Sequence, residues 1–245
     1  LCKRNITKKI IIIEKEIDIG LHTSGRNSGV LHSGIYYKPN SLKAKVCVSG
    51  AKRLKEWIEE RKLPINKCGK LIIPNKEELD SQLDVLLKRG LANGAKVEIL
   101  KESDIRKIQP EVNCITGRGI WSPNTCVVDP IKVLKTIEEE LKVFGVQVIK
   151  NISDFDFKKN TSSISLSNGE KINYATLINC SGLHADEIAK KFDAGKDYIL
   201  LPFKGMYWEL KRTCRINIKT NVYPVPDLNV PFLGVHFTPN AKSEY

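Results

Sequence analysis

The chain has 245 residues, 41% apolar and 28% charged, enough to bury a sizeable core in one large domain or two modest ones. No run approaches the roughly 18 consecutive apolar residues that a membrane-spanning helix needs. The formal net charge of +12 would suit nucleic acid, an anionic surface or acidic substrates. The lysines are interspersed with glutamates, however, as between Lys52 and Lys62, so the expectation is a solvated Lys-rich surface and no nucleic-acid partner.

The predicted elements alternate. Lys8–Glu14 has the length and apolarity of a short buried strand, and a Gly/Ser/Asn-rich loop follows from Gly20 to Gly34. Helical spacing of Leu42, Val46, Ala51, Leu54, Trp57 and Ile58 predicts a helix over Leu42–Lys62. A strand is predicted at Lys70–Ile73, ending at Pro74, and a helix over Glu77–Asn93 that Asn93-Gly94 stops. Val97–Leu100 is predicted as a strand and Glu102–Gln109 as a short helix closed by Pro110. Asp129-Pro130 opens a helix running to about Phe144: Asp129 can cap it and Pro130 suits its first position. Gly145 ends it before a strand at Val146–Ile149. Strands are predicted at Asp154–Leu166 and Lys171–Ile178 around an Asn168-Gly169 turn, then a helix at Ala185–Phe192. The tail from Tyr198 is expected to supply strands of a second sheet. Strand–helix alternation implies an α/β fold, α+β overall once the strand-rich tail is included.

Seven cysteines occur, at 2, 47, 68, 114, 126, 180 and 214, without a CxxC pair. An odd number so spaced suggests neither a disulfide framework nor a zinc site, and no metal is expected. Most of the cysteines read as buried thiols of a reducing compartment. The chain opens on Leu1 without a signal-peptide or Arg-rich transit pattern, so the expectation is a piece whose start lies upstream.

Three stretches carry chemistry. An apolar strand ending in Glu14 resembles the place where dinucleotide-binding folds set a carboxylate to accept both ribose hydroxyls, although no GxGxxG precedes it here. The loop from His22 to Tyr37, HTSGRNSGVLHSGIYY, packs small residues, hydroxyls and amides around Arg26, which suits an approach to phosphate oxygens. Ile178-Asn179-Cys180-Ser181-Gly182 runs from an apolar strand into a helix start, presenting backbone N–H groups to an anionic or carbonyl-bearing ligand.

In this order the three resemble the amino-acid-oxidase type of FAD enzyme, and within it the L-2-hydroxyglutarate dehydrogenase (oxidase) family. The residues that carry the resemblance are EKE at Glu14–Glu16, HTSGRNSGVLHSGIYYKPNSLKAK from His22 to Lys45, and CGKLIIP at Cys68–Pro74. It continues in SPNTCVVD at Ser122–Asp129, PFKGMYW at Pro202–Trp208 and VYPVPDLNVPFLGVHFTP at Val222–Pro239. It implies a Rossmann-like FAD-binding domain of the glutathione-reductase type, at 1–66 and 118–196. It also implies a mostly antiparallel substrate domain at 67–117 and 197–245.

For FAD, the resemblance implies that Glu14 and Lys15 meet the ribose. Thr23, Ser24, Arg26, Asn27 and Ser28 would lie under the pyrophosphate and flavin, Val148 at the adenine, and Ser181 and Gly182 along the cofactor. The implied reaction oxidises a 2-hydroxy acid to the 2-oxo acid: the C2 hydrogen leaves as hydride to flavin while a base takes the hydroxyl proton. His32 and His236 are the candidate bases, ahead of His22 and His184. On residues alone His236, between Val235 and Phe237, reads as a core histidine; the resemblance reverses that. Lys204, Tyr37 and Tyr223 are candidates for the substrate carboxylates. Relatives more often carry Arg at the position of Lys204, and a lysine lacks the bidentate fork, which implies altered affinity.

The implied partners are a small 2-hydroxy acid and an electron acceptor, whether oxygen, a quinone or another carrier. Relatives are cytosolic with membrane-linked electron transfer or mitochondrial, which allows peripheral membrane association. Two alternatives stay open: a sibling flavoenzyme using glycerol 3-phosphate or an amino acid, and a non-catalytic remnant without cofactor. Family members carry a front βα unit with the glycine fingerprint and a segment beyond the GVHFT string. Without them an unpaired sheet edge and exposed apolar surface are expected.

Overall fold

In a computed structural model of the chain, residues 9–157, 161–211, 213–227 and 234–241 are described. They divide into two compact units, Leu1–Arg26 with Leu134–Leu210, and Asn27–Val133 with Lys211–Tyr245.

The first unit begins with β1 (Ile11–Ile13), which pairs in parallel with β8 (Gln147–Ile149). Parallel neighbours need a long crossover, and the helix α4 (Pro130–Val143) leads directly into β8. Asp129 caps that helix as its sequence predicts, Oδ1 accepting the Lys132 N–H at 3.1 Å. Gly145, at φ 72°, ends it. The predicted single strand over 154–166 is instead a hairpin of β9 (Phe155–Phe157) and β10 (Ser163–Leu166). β11 (Lys171–Asn173) is the third member of that antiparallel sheet. Ile152, Ile164 and Leu166 form its core, with Ile13, Ile149, Phe155, Phe157 and Ile172 packed around them. β11 is shorter than the predicted 171–178: the Tyr174 N–H still reaches the Ser162 carbonyl at 2.8 Å, and the strand ends there. Leu177 and Ile178 are exposed. The helix α5 (Ala185–Lys191) follows a 3-10 turn at Gly182–His184.

The second unit holds a four-stranded sheet in the order β12 (Asn221–Pro224), β4 (Lys70–Ile73), β6 (Arg118–Ser122), β5 (Glu98–Lys101). β12 joins β4 in parallel; the other pairs are antiparallel. Every residue of β4 is buried, as a central strand covered on both faces requires. Its alternating side chains feed two cores. Ile72 packs with Leu83 and Leu86 of α2 (Gln82–Ala92) and with Ile35, Ile120 and Val225. Leu71 and Ile73 pack with Ile105 of α3 (Glu102–Ile108) and with Cys114. A smaller sheet orders β2 (Val30–Leu31), β7 (Cys126–Val128) and β3 (Ile65–Asn66). The helix α1 (Leu42–Glu60) starts at Ser41, whose Oγ accepts the Ala44 N–H at 3.2 Å.

The tail departs from expectation. From Tyr198 onward only Asn221–Pro224 forms a strand among the described residues, with one further bridge between Val222 and Phe237. Large side chains from Tyr198 to Trp208 are exposed. β-branched and aromatic residues favour a strand only where a neighbour completes the ladder.

Candidate functional site

In the first unit the apolar run of β1 ends at Glu14. Its N–H extends the ladder to the Ile149 carbonyl at 2.8 Å, and its carboxylate Oε1 accepts the Glu16 N–H at 2.9 Å. Val148 pairs with Ile12 at the middle of this parallel ladder, and Glu14 follows its carboxyl end. Lys15 is exposed. His22 O accepts N–H groups from Gly25 at 3.1 Å and Arg26 at 2.9 Å, which folds Thr23 and Ser24 into a tight exposed turn. The His22 ring instead meets Glu16 at 2.7 Å, and that hydrogen bond holds the Glu16 carboxyl below its usual range. Ser181 Oγ donates to Asn179 Oδ1 at 2.6 Å, and Gly182 adopts φ 58° as the 3-10 turn begins. His184 faces Glu187 at 3.4 Å. Lys204 is exposed on a stretch without helix or strand.

These residues fit a dinucleotide. An acidic acceptor stands at the carboxyl end of a parallel strand, where open α/β sheets place their ligands. FAD, if held here, would meet Glu14 and Val148 at the nucleoside and Thr23, Ser24 and Arg26 at the phosphates.

In the second unit the loop continues. Asn27 Oδ1 accepts the Gly29 N–H at 2.9 Å, and Ser28 is half-buried beside it. Gly29 has φ 68°, and a Cβ there would lie 2.0 Å from the Val128 carbonyl oxygen, so only glycine lets β2 come this close to β7. Two residues beyond β2, Ser33 Oγ lies 3.0 Å from Ser122 Oγ. The Asn93 side chain donates to the carbonyls of Gly34 at 2.8 Å and Tyr37 at 2.9 Å, fixing the end of the motif. The Tyr37 ring lies under the Lys43 ammonium at 4.9 Å.

The fold brings His32, Tyr223 and His236 together. The Tyr223 ring, on β12, lies 4.3 Å from that of His236 and stands edge-on to His32 at 6.2 Å. His32 Nδ1 and Tyr36 Oη are buried and have no hydrogen-bond partner among the described residues. Burial, with Lys70 and His236 nearby, pulls His32 down to about 3, so its imidazole is neutral at pH 7. Tyr36 is pushed well above its usual range, chiefly by burial.

Two residues of this cluster escaped sequence reasoning. Lys70 is 1% exposed, with its ammonium 4.5 Å from the Tyr36 ring and 5.0 Å from the Tyr223 ring. Burial pulls it down to about 7. A charged residue opening the apolar run Leu71-Ile72-Ile73 was the available signal. Tyr36 lay inside the recognised motif next to Tyr37, with no feature to favour one over the other. Beyond Ser33, a groove of about 310 Å³ is lined by His32, Lys52, Lys55, Lys96 and Asn124, with no acidic side chain.

A parallel ladder ending in a carboxylate suits the dinucleotide of a flavoprotein oxidoreductase, the class into which the chain falls. The chain belongs to the FAD dependent oxidoreductase family, whose model matches residues 1–244. It is 38% identical over 96% of its length to the mitochondrial L-2-hydroxyglutarate dehydrogenase of Caenorhabditis briggsae, of which it covers 56%. It is 36% identical over 98% of its length to the human mitochondrial enzyme of that name, covering 54% of it. The chain thus spans about half the length of the curated relatives it matches. Among solved structures it superposes with L-alpha-glycerophosphate oxidase from Mycoplasma pneumoniae with FAD bound, at TM-score 0.72 and 23% identity, over 96% of this chain and 63% of the other. Glycine oxidase from Geobacillus kaustophilus superposes at TM-score 0.65 and 16% identity, over 79% of this chain and 53% of that one. At such identities the structures speak to the fold, an amino-acid-oxidase type α/β arrangement, as the sequence predicts. No described helix is long and apolar enough to cross a membrane.

Proposed function

We propose that the chain carries cofactor and substrate residues of an FAD-dependent dehydrogenase that oxidises L-2-hydroxyglutarate, or a similar 2-hydroxy acid, to the 2-oxo acid. The observation that carries this is 38% identity across 96% of the chain to an enzyme of that activity. FAD, when bound, supplies the acceptor for the two electrons and hydrogen leaving C2.

The chain's own residues do the rest. Glu14, Lys15, Thr23, Ser24, Arg26, Asn27, Ser28, Val148, Ser181 and Gly182 hold the cofactor. His32 or His236 takes the hydroxyl proton, since a neutral imidazole has a lone pair to offer; burial holds His32 down to about 3, and the negative charge of a bound carboxylate would raise its proton affinity toward the working range. Tyr223 orients both rings through its own. Tyr37, Tyr223 and Lys204 meet the substrate's carboxylates. Segments 1–66 and 118–196 form the flavin-binding part, and 67–117 with 197–245 the substrate part. The compartment is mitochondrial, as for the named animal relatives, or cytoplasmic, with peripheral membrane attachment where a quinone takes the electrons.

The test is an absorbance spectrum of the purified chain with FAD, then anaerobic addition of L-2-hydroxyglutarate. Bound flavin that bleaches with this acid and not with glycerol 3-phosphate or glycine is the expected result. Bleaching by either of the latter alone would overturn the substrate assignment.

A further inference from the structure

Among the described residues Lys70 is the one lysine buried by its surroundings. It opens β4, a strand buried along its whole length, and shares the face of Ile72 by strand alternation. The groups facing its ammonium come from three elements: Tyr36 and His32 from the segment after β2, Cys47 from α1 and Tyr223 from β12, on whose ring His236 packs in turn. Its ladder neighbours, Asn221 and Ser122, are uncharged. No carboxylate pairs with it among the described residues. Burial pushes the Cys47 thiol and the Tyr36 phenol up, so neither supplies an anion at neutral pH.

Such a placement is costly. A buried cation needs a partner, and the two ring faces replace only part of its lost hydration. Methionine would fill the same length of space without that cost. Beside the ammonium, His32 Nδ1 and Tyr36 Oη are also left without hydrogen-bond partners. A cation and two polar atoms therefore wait, buried, for what an incoming carboxylate would provide: negative charge and acceptor oxygens.

We propose that Lys70 is a positioning residue that determines specificity for charge: left without a carboxylate by the fold, it selects ligands that bring a negative charge to the His32–Tyr36–Tyr223 cluster. The ammonium acts through the rings rather than by open contact, since a low-dielectric surrounding lets a charge reach several ångströms. The proposal rests on the 2-hydroxy-acid reading for its choice of test ligand. A linked proton follows. With burial holding Lys70 near 7, a bound carboxylate raises its proton affinity, so binding takes up a proton from solvent above about pH 7. Below about pH 6 Lys70 is already charged and takes up none.

The experiment is calorimetry on the full 245-residue chain with 2-oxoglutarate and with 2-oxoglutaramate, whose distal carboxylate is replaced by an isosteric amide. Wild type should favour the dicarboxylate by about tenfold or more, and Lys70→Met should bring the two within about twofold while melting no lower than wild type. Repeating wild type in two buffers of different ionisation enthalpy counts protons, and keeps the proposal testable should Lys70→Met fail to fold. Proton uptake above about pH 7 is expected. A Lys70→Met chain that keeps the preference would overturn the proposal, as would uptake confined below pH 6, the range in which His32, held down to about 3 by burial, responds. If neither 2-oxo acid binds wild type but inorganic phosphate binds in a Lys70-dependent way, the 2-hydroxy-acid reading fails and Lys70 stands. If no anion binds wild type, both fail.

Discussion

Replacing Gly29 by alanine tests how closely the chain entering β2 is fastened to β7. Two costs add. Alanine at φ 68° pays ~1–2 kcal/mol for a left-handed backbone. Its Cβ would also stand 2.0 Å from the Val128 carbonyl oxygen, a main-chain atom held in the β2–β7 ladder, whose N–H donates back to Gly29 O at 2.9 Å. Relieving that overlap means separating the strands, which costs ~1–3 kcal/mol as overpacking. A total loss of ~3–4 kcal/mol is expected, most of it absent from Gly94→Ala. Gly94 has φ 78° but no atom within 4 Å of its Cβ position, so only the backbone penalty applies. Urea unfolding, followed by the fluorescence of Trp57 and Trp121, measures both. With a slope of ~2–3 kcal/mol/M, the midpoint should fall by more than ~1 M for Gly29→Ala and by ~0.5 M for Gly94→Ala. Equal losses would refute the close approach of β2 to β7.

Three further outcomes are expected. Asn93→Ala removes both hydrogen bonds to the Gly34 and Tyr37 carbonyls, and thermal melting should show a loss of ~1–3 kcal/mol. Arg118 grips Asp80 at 2.6 Å and holds that carboxyl below its usual range. A lowered folded pKa means stabilisation present above the unfolded value and lost as pH falls through the folded one. Asp80→Asn should therefore cost ~1 kcal/mol at pH 7, discounted for partial exposure, and progressively less as pH falls below the usual aspartate range, as read from denaturation across a pH series. Under native conditions a thiol reagent followed by peptide mass spectrometry should label the exposed Cys180 and Cys214 quickly and the buried Cys114 and Cys126 only on unfolding.

Much of the fold was legible because local rules and tertiary packing agree. The helix at Leu42 follows from its apolar spacing, and the helix at Pro130 from Asp129. The strand at Lys70–Ile73 was found from an apolar run alone. What was missed needed partners distant in sequence. Arg118–Ser122 and Cys126–Val128 are strands because β4, β5, β2 and β3 flank them, and the intervening Pro123 and Asn124 disguised both. Residues 154–166 were read through as one strand, although they turn back on themselves. Of the candidate site, His32, Tyr223 and His236 meet as one cluster in the second unit, while Glu14 and Val148 meet on one ladder in the first. Lys70 eluded notice because a lysine in isolation reads as surface, and only burial by Tyr36 and Tyr223 makes it otherwise.

The strand order of the four-stranded sheet also dictates when the second unit can be finished during synthesis. Asn221 Nδ2 donates to the Gly69 carbonyl across 152 residues of sequence, and β12 covers the flank of β4 opposite β6. At ~5–20 residues per second a ribosome needs ~8–30 s to deliver the closing strand after its partner has emerged. Through that interval one edge of β4 stays open, while the Leu134–Leu210 segment of the other unit is made in between. Loop closure over this span costs only ~2 kcal/mol more than over ten residues, so the penalty is one of waiting rather than of stability. An uncovered strand as apolar as Leu71-Ile72-Ile73 is the kind of edge that chaperones hold, and nascent chains stalled before Asn221 should be their clients.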